Sequence, residues 1–193
     1  MVNRIMPLLL FLSGINAQIA LPTFQGVHTS HAAASSLYDF TTHTFTNCGA
    51  TGKTGPTLAN CKSSYDTSWE NDTDFFNVPD DAGIQYWPVP VTGTYTIEAY
   101  GAQGGDVGGE GARMRGNFNL TQGDILKILV GQAGGTADNQ HGSGGGGSFV
   151  ATNVDTPLVV TGGGGGSSYI GGVSSSSTTS GQRSGNGQII INW

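Results

Sequence analysis

Charge is what this sequence has least of. Of 193 residues, 7 are Lys or Arg and 13 are Asp or Glu, which leaves a net charge of −6. So few cations give no basic stripe to displace counterions along a phosphate backbone, which excludes a nucleic-acid binder. The same scarcity excludes a charged disordered tail. There are only 7 Pro, and the glycines do not recur at every third position, so the chain is no collagen. Cysteine is limited to 2 residues. The N-terminal apolar run Ile5–Leu12 is eight residues long and contains Pro7, too short to span a bilayer.

What the sequence does have is glycine: 33 residues, against a usual share of roughly 7%. Six lie in residues 1–92 and 27 in residues 93–193. This divides the chain into an apolar N-terminal arm and linker (1–40) and a β domain (41–193) that opens on a Cys-loop region. The arm has two readings. Arg4, the apolar Ile5–Leu12 and the small residues around Ala17 make a passable signal peptide. Alternatively, the arm is retained and straps the protein to neighbouring subunits. His28 and His31 form an H-x-x-H pair without a third ligand, so no metal site is expected there.

Cys48 and Cys61 bracket twelve residues rich in turn formers, including Gly49, Gly52, Gly55 and Pro56. Two readings stand at this point: a disulfide in an oxidising compartment, or two free thiols in a reducing one. Gly52-Lys53-Thr54 imitates a phosphate-binding loop. The Gly required five positions earlier is Asn47, and Gly55-Pro56 makes a turn where a helix is needed. The G-x-G-x-x-G at Gly142–Gly147 lies inside a glycine run, where such a match is nearly automatic. Asp66, Glu70, Asp72, Asp74, Asp80 and Asp81 form an acidic loop without calcium-loop spacing. Trp69, Phe75 and Phe76 between them predict that part of this loop folds back onto the core.

From Gly93 onward the pattern is strands. Tyr95, Ile97 and Ala99 alternate with Thr96, Glu98 and Tyr100. Phe118 and Leu120 open a further strand, Gln122-Gly123-Asp124 reads as a turn, and Ile125–Val130 is a strand with Leu126, Ile128 and Val130 on one face. Ser148–Thr152 and Leu158–Thr161 form a hairpin, and Ile189–Ile191 closes the chain. No convincing 3.6-residue apolar period occurs after the arm, so the fold class is all-β, a sandwich or jelly roll. The runs Gly144, Gly145, Gly146, Gly147 and Gly162, Gly163, Gly164, Gly165, Gly166 flank the hairpin and would leave the sandwich side by side. Ordering them costs about 1–2 kcal/mol of backbone entropy per residue. Burial of side chains cannot offset this, so backbone hydrogen bonding between closely packed, polyproline-II-like glycine strands is expected.

In order along the chain stand Phe45-Thr46-Asn47-Cys48-Gly49-Ala50-Thr51-Gly52, Gly55-Pro56-Thr57, Cys61, Gly83-Ile84-Gln85, Trp87, Val89-Pro90, Thr94-Tyr95-Thr96-Ile97 and Tyr100-Gly101-Ala102. Then follow Ile128-Leu129-Val130-Gly131-Gln132, the glycine runs, Tyr169-Ile170-Gly171-Gly172 and Gly187-Gln188-Ile189-Ile190-Ile191. This ordered set resembles the glycine-rich extracellular domain of the anaplastic lymphoma kinase and leukocyte tyrosine kinase receptors, over about residues 41–193. It is also similar to glycine-rich bacteriophage virion proteins, tail adhesins among them. The resemblance implies a TNF-like jelly-roll sandwich with polyglycine-II inserts between strands, a disulfide joining Cys48 to Cys61, and, because such sandwiches commonly trimerise, a homotrimer with Trp193 at the contact. The family's longest glycine inserts are missing, and its ligand-contacting residues are not placed on this sequence.

No nucleophile–base pair and no metal set stands out, so neither catalysis nor a cofactor is expected. Two functions remain. One is an exposed structural or adhesion protein of a bacteriophage virion, a tail-tip adhesin or capsid decoration, with the 1–40 arm holding other virion subunits and the glycine-supported loops meeting a host receptor or glycan. The other is a secreted module that binds a receptor or glycan after signal-peptide removal. Both put the protein outside a cell, on a virion surface or free. Gln103, Asp106, His141, Tyr169 and Arg183, set in or beside glycine tracts, are the candidate contact residues. Asn71-Asp72-Thr73 and Asn119-Leu120-Thr121 match the glycosylation sequon.

Overall fold

The computed structural model describes residues 40–79, 83–138, 141–164, 166, 168–173 and 175–193. The arm up to residue 39, the His28/His31 pair, Asp80, Asp81 and Gly165 lie outside the described residues. Among the described residues twelve strands form. They are β1 (Thr42–Phe45), β2 (Gln85–Pro88), β3 (Gly93–Tyr100), β4 (Gly111–Leu120), β5 (Ile125–Leu129) and β6 (Thr136–Asp138). There follow β7 (His141–Gly142), β8 (Ser148–Thr152), β9 (Pro157–Thr161), β10 (Tyr169–Ile170), β11 (Ser176–Arg183) and β12 (Gln188–Asn192). Two five-stranded antiparallel sheets, ordered β1-β12-β3-β4-β11 and β10-β9-β8-β5-β2, make an all-β sandwich, and β6 pairs with β7 in a short ribbon.

The alternation written in the strands decides what lies between the sheets. Tyr95, Ile97 and Ala99 of β3 are fully buried, as are Ile189 and Ile191 of β12, and Leu126, Ile128, Val150 and Val159 of the second sheet. Each such aliphatic side chain contributes about 1.5–3 kcal/mol on leaving water. Between β4 and β5 the chain reverses at Gly123, whose φ of +87° only glycine takes without strain. Asp124 closes that turn by accepting the Thr121 N–H at 2.9 Å through its carboxylate. Phe118 and Leu120 end a strand, where the alternation alone had them opening one: β4 begins at Gly111 and carries the polar residues Arg113, Arg115 and Asn117 on its outer face.

A helix, α1 (Leu58–Tyr65), stands where only turns were expected. Thr57 Oγ1 accepts the Asn60 N–H, and Asn60 Oδ1 accepts the Thr57 N–H at 3.0 Å, a reciprocal capping box. Its apolar spacing is thin, Leu58, Cys61 and Tyr65, so tertiary contacts stabilise it more than amphipathicity does. Cys61 is bonded to Cys48, with Cα atoms 4.9 Å apart, which joins the helix to the end of β1. Tyr65 adds a second tie. Its hydroxyl accepts the Thr46 N–H at 3.0 Å and donates to Gln85 Oε1 at 2.5 Å, while Gln85 Nε2 donates to the Thr46 carbonyl at 2.8 Å. Gln85 is completely buried, so this network fills hydrogen-bonding capacity that would otherwise be stranded.

Trp69 and Phe76 of the acidic loop are buried against the same core, and Glu70 with them, its carboxylate accepting from Thr67 Oγ1. Trp193 packs within its own chain: its ring stacks on Tyr95 at 5.9 Å and lies 5.3 Å from Trp87 and 5.1 Å from Phe40. Among the described residues no helix is long and apolar enough to cross a membrane.

Candidate functional site

The glycine tracts converge at one end of the sandwich. Ser148 of β8 pairs with Thr161 of β9, so the tracts before β8 and after β9 leave the second sheet together. They meet the segments 101–105, 109–112 and 131–135 and are laced to them through the backbone, and 185–187 is bonded in turn to Gln103 and Gly131. Ala102 N–H donates to the Gly146 carbonyl at 2.9 Å, Gly146 N–H to Gln132 at 2.9 Å, Gly164 N–H to Ala102 at 2.9 Å, and Gly134 N–H to Gln103 at 2.8 Å. Close approach explains the residue type. A Cβ on Gly145 would stand 2.2 Å from the Ala102 oxygen, and one on Gly163 2.0 Å from the Gly145 oxygen. Gly144 has open space around it. None of the described glycines of the two runs has φ in the left-handed region, so the absence of a side chain matters there, rather than freedom to turn.

The candidate contact residues fall in different surroundings. Gln103 is tied inside the glycine scaffold: Nε2 donates to the Gly108 carbonyl at 3.3 Å and Oε1 accepts the Gly185 N–H at 3.1 Å. Asp106 is exposed at a loop tip with φ +57°. Arg183 holds the turn after β11, its Nε donating to the Asn186 carbonyl at 2.8 Å. The side chain of His141 lies outside the described residues. Tyr169 sits elsewhere, on the second sheet, and is 53% exposed.

Tyr169 belongs to a row. Cross-strand pairing places Leu129 beside Phe149, Phe149 beside Val160, and Val160 beside Tyr169. Their sequence neighbours Ile128, Val150 and Val159 point inward, so all four face outward. Phe149 is 38% exposed, and Leu129 and Val160 are half-buried. The outer face of the first sheet is the opposite in character. There Thr94 pairs with Asn119, Thr96 with Asn117, and Glu98 with Arg113 at 2.7 Å. Arg113 and the Tyr100 hydroxyl hold the Glu98 carboxyl below the usual carboxylate range, against the opposing effect of its partial burial. One outer face is thus polar and satisfied, and the other carries an aromatic–aliphatic row.

That row runs into a groove of about 790 Å³. Thr51 and Lys53 of the Cys loop stand on one wall, the glycine segments 131–135 and 143–147 on the other, and Phe149 at the sheet end. Gln132 crosses between the walls, donating Nε2 to the Thr54 carbonyl at 2.8 Å, while its Oε1 is buried without a hydrogen-bond partner. The groove therefore offers main-chain polar groups, one lysine and an aromatic edge, a composition suited to holding a partner. The sequence reading singled out Tyr169 but not Leu129, Phe149 or Val160. The available signal was that β5, β8 and β9 are apolar on both alternate sets, in ILKIL, SFV and LVV.

Among the described residues no group of three or more His, Cys, Asp or Glu is placed to hold a metal ion. His43 is packed among Phe45, Tyr65 and Trp69, with ring centroids 4.6, 4.8 and 4.7 Å away. Burial lowers its pKa to about 4, and its Nε2 has no hydrogen-bond partner. Its place is the aromatic core, away from the groove.

No family model matches the chain. Over 96 residues it is 40% identical to the leukocyte tyrosine kinase receptor of Mus musculus, a match that covers 47% of this chain and 11% of the receptor. The chain is therefore similar, over about half its own length, to a small part of a receptor tyrosine kinase.

Proposed function

We propose that this protein is a non-enzymatic extracellular binding module that engages a receptor or glycan through the Leu129–Phe149–Val160–Tyr169 row and the adjoining groove. The observation that carries this reading is the exposed row itself, continuous with a built concavity. Half-exposed aromatic side chains supply large, stiff contact area at small entropic cost. The disulfide fits an oxidising compartment, and the partial match to a receptor favours the secreted module. The glycine tracts then act as a polyglycine-II-type scaffold in a TNF-like sandwich, a reading that the backbone bonds between tracts support. No comparison speaks for a place on a bacteriophage virion, and homotrimer formation stays a proposal by resemblance.

The test is binding of the purified protein to a printed glycan array and to a panel of receptor ectodomains, with Tyr169→Ala and Phe149→Ser as comparators. The expected result is a signal that both substitutions abolish while the folded content stays unchanged. A signal equally strong in both variants would overturn the assignment of this face.

A further inference from the structure

Strand β11 is an unusual edge. Seven of its eight residues are exposed, and Ser176–Gln182 contains neither a charged residue nor proline. Natural sheet edges are normally guarded by lysine, proline or a covering segment. Among the described residues the protective feature is a register irregularity between Thr179 and Arg183, which leaves Ser176–Thr179 regular against β4. The Asn117 N–H donates to the Ser175 carbonyl. Ser175 and, two residues on, Ser177 thus turn their main-chain groups toward β4. By the antiparallel alternation, Ser176 and Thr178 turn theirs outward.

A polar cleft of about 220 Å³ adjoins this edge, lined by Arg115, Gly116, Asn117 and Ser175–Ser177. Arg115 is cross-strand to Ser177 and its side chain is 52% exposed. Glu98 is held at 2.7 Å by Arg113 but lies 3.7 Å from Arg115, so Arg115 keeps guanidinium donors in reserve. An added strand would lie about 4.8 Å beyond Ser177. A carboxylate on its residue opposite Ser177 falls within the joint reach of the two side chains across the small serine.

We propose that the β11 edge is a docking site for an extended strand of a partner protein carrying an acidic residue, which adds to the sheet through Ser176 and Thr178 and is selected by Arg115. The backbone bonds supply the attachment and the charge-assisted pair the preference. A second copy of this chain fits less well, because Ser176–Gln182 has no carboxylate for Arg115. This surface is separate from the groove and the aromatic row, so the two readings stand or fall independently.

The experiment titrates the isotope-labelled protein with the capped peptide Ac-Thr-Val-Glu-Val-Thr-NH2 and with its Gln counterpart, following backbone amides by NMR. The expected result is that the Ser176 and Thr178 amides shift most and gain protection from exchange. The Glu peptide should bind about tenfold more tightly, as a charge-assisted bond predicts. Arg115→Gln should remove that preference while leaving the edge amides responsive, and Ser176→Pro should weaken both peptides. Three results overturn the proposal: edge amides unmoved at millimolar peptide, equal affinity for the two peptides in the native protein, or a free protein already dimeric with Ser176 and Thr178 protected. If Ser176→Pro does not fold, the peptide pair and Arg115→Gln decide the matter.

Discussion

Adding one methyl group at two adjacent glycines should have opposite effects. At Gly145 the new carbon would stand 2.2 Å from the Ala102 oxygen and 2.6 Å from the Gln103 oxygen. Ordinary contact starts at 3.4 Å, so backbone must move by 3.4 − 2.2 = 1.2 Å. Both oxygens are held, Ala102 by the Gly164 N–H and Gln103 by the Gly134 N–H. Moving them strains bonds worth about 1 kcal/mol each and adds an overpacking cost of about 1–3 kcal/mol. The stiffer unfolded chain returns about 0.4–1 kcal/mol. Gly145→Ala should therefore lose about 2–5 kcal/mol, a fall in Tm of about 4–18 °C for a domain of this size. At Gly144 no atom lies within 4 Å of the added carbon and φ is outside the left-handed region. Only the unfolded-state term acts, and Gly144→Ala should gain about 0.4–1 kcal/mol. Calorimetric melting of the two variants beside the native protein is the assay. Equal melting temperatures would refute the claim that these tracts are packed backbone, since slack coil would treat both positions alike.

Acidification should weaken the fold through His43, whose pKa is lowered by burial from 6.5 to about 4. The unfolded chain takes up this proton first, so the neutral ring's contribution is complete above pH 6.5 and is lost as the pH falls toward 4, on the order of 3 kcal/mol in all. His43→Leu should flatten that part of a urea-denaturation pH series, and an unchanged slope would refute the attribution. Reduction of Cys48–Cys61, or Cys48→Ser with Cys61→Ser, should cost about 2–4 kcal/mol by releasing the loop in the unfolded state, read as a lower denaturant midpoint with a somewhat larger m-value, because the opened denatured chain exposes more surface. Tyr65→Phe leaves Gln85 Oε1 without its donor inside the core, a loss of about 1–3 kcal/mol. A neutral effect there would mean that the tie between α1 and β2 is idle.

Much of this architecture was legible in local pattern, because alternation along a strand is a property of the strand itself. Tyr95, Ile97 and Ala99, the 148–161 hairpin and the turn at Gly123 needed no knowledge of their neighbours. The helix Leu58–Tyr65 escaped because its apolar stripe is three residues long and its plainest mark is the Thr57–Asn60 cap. Strand β11 escaped for a different reason. Its serines and threonines bury nothing, and only the ladder to β4 makes them a strand.

The amino-acid order by itself determined that the protein is a β sandwich with glycine tracts leaving one hairpin together, and it left open whether Cys48 and Cys61 are bonded, which the structure decided. Tertiary structure alone decided which glycines are indispensable, since that depends on which carbonyl oxygen stands opposite, as Ala102 does to Gly145. It also decided that Phe149 and Tyr169 share one outer row, and that Trp193 packs inward. These are relations between residues tens of positions apart, set by register and sheet order. A local pattern carries no record of what will face it.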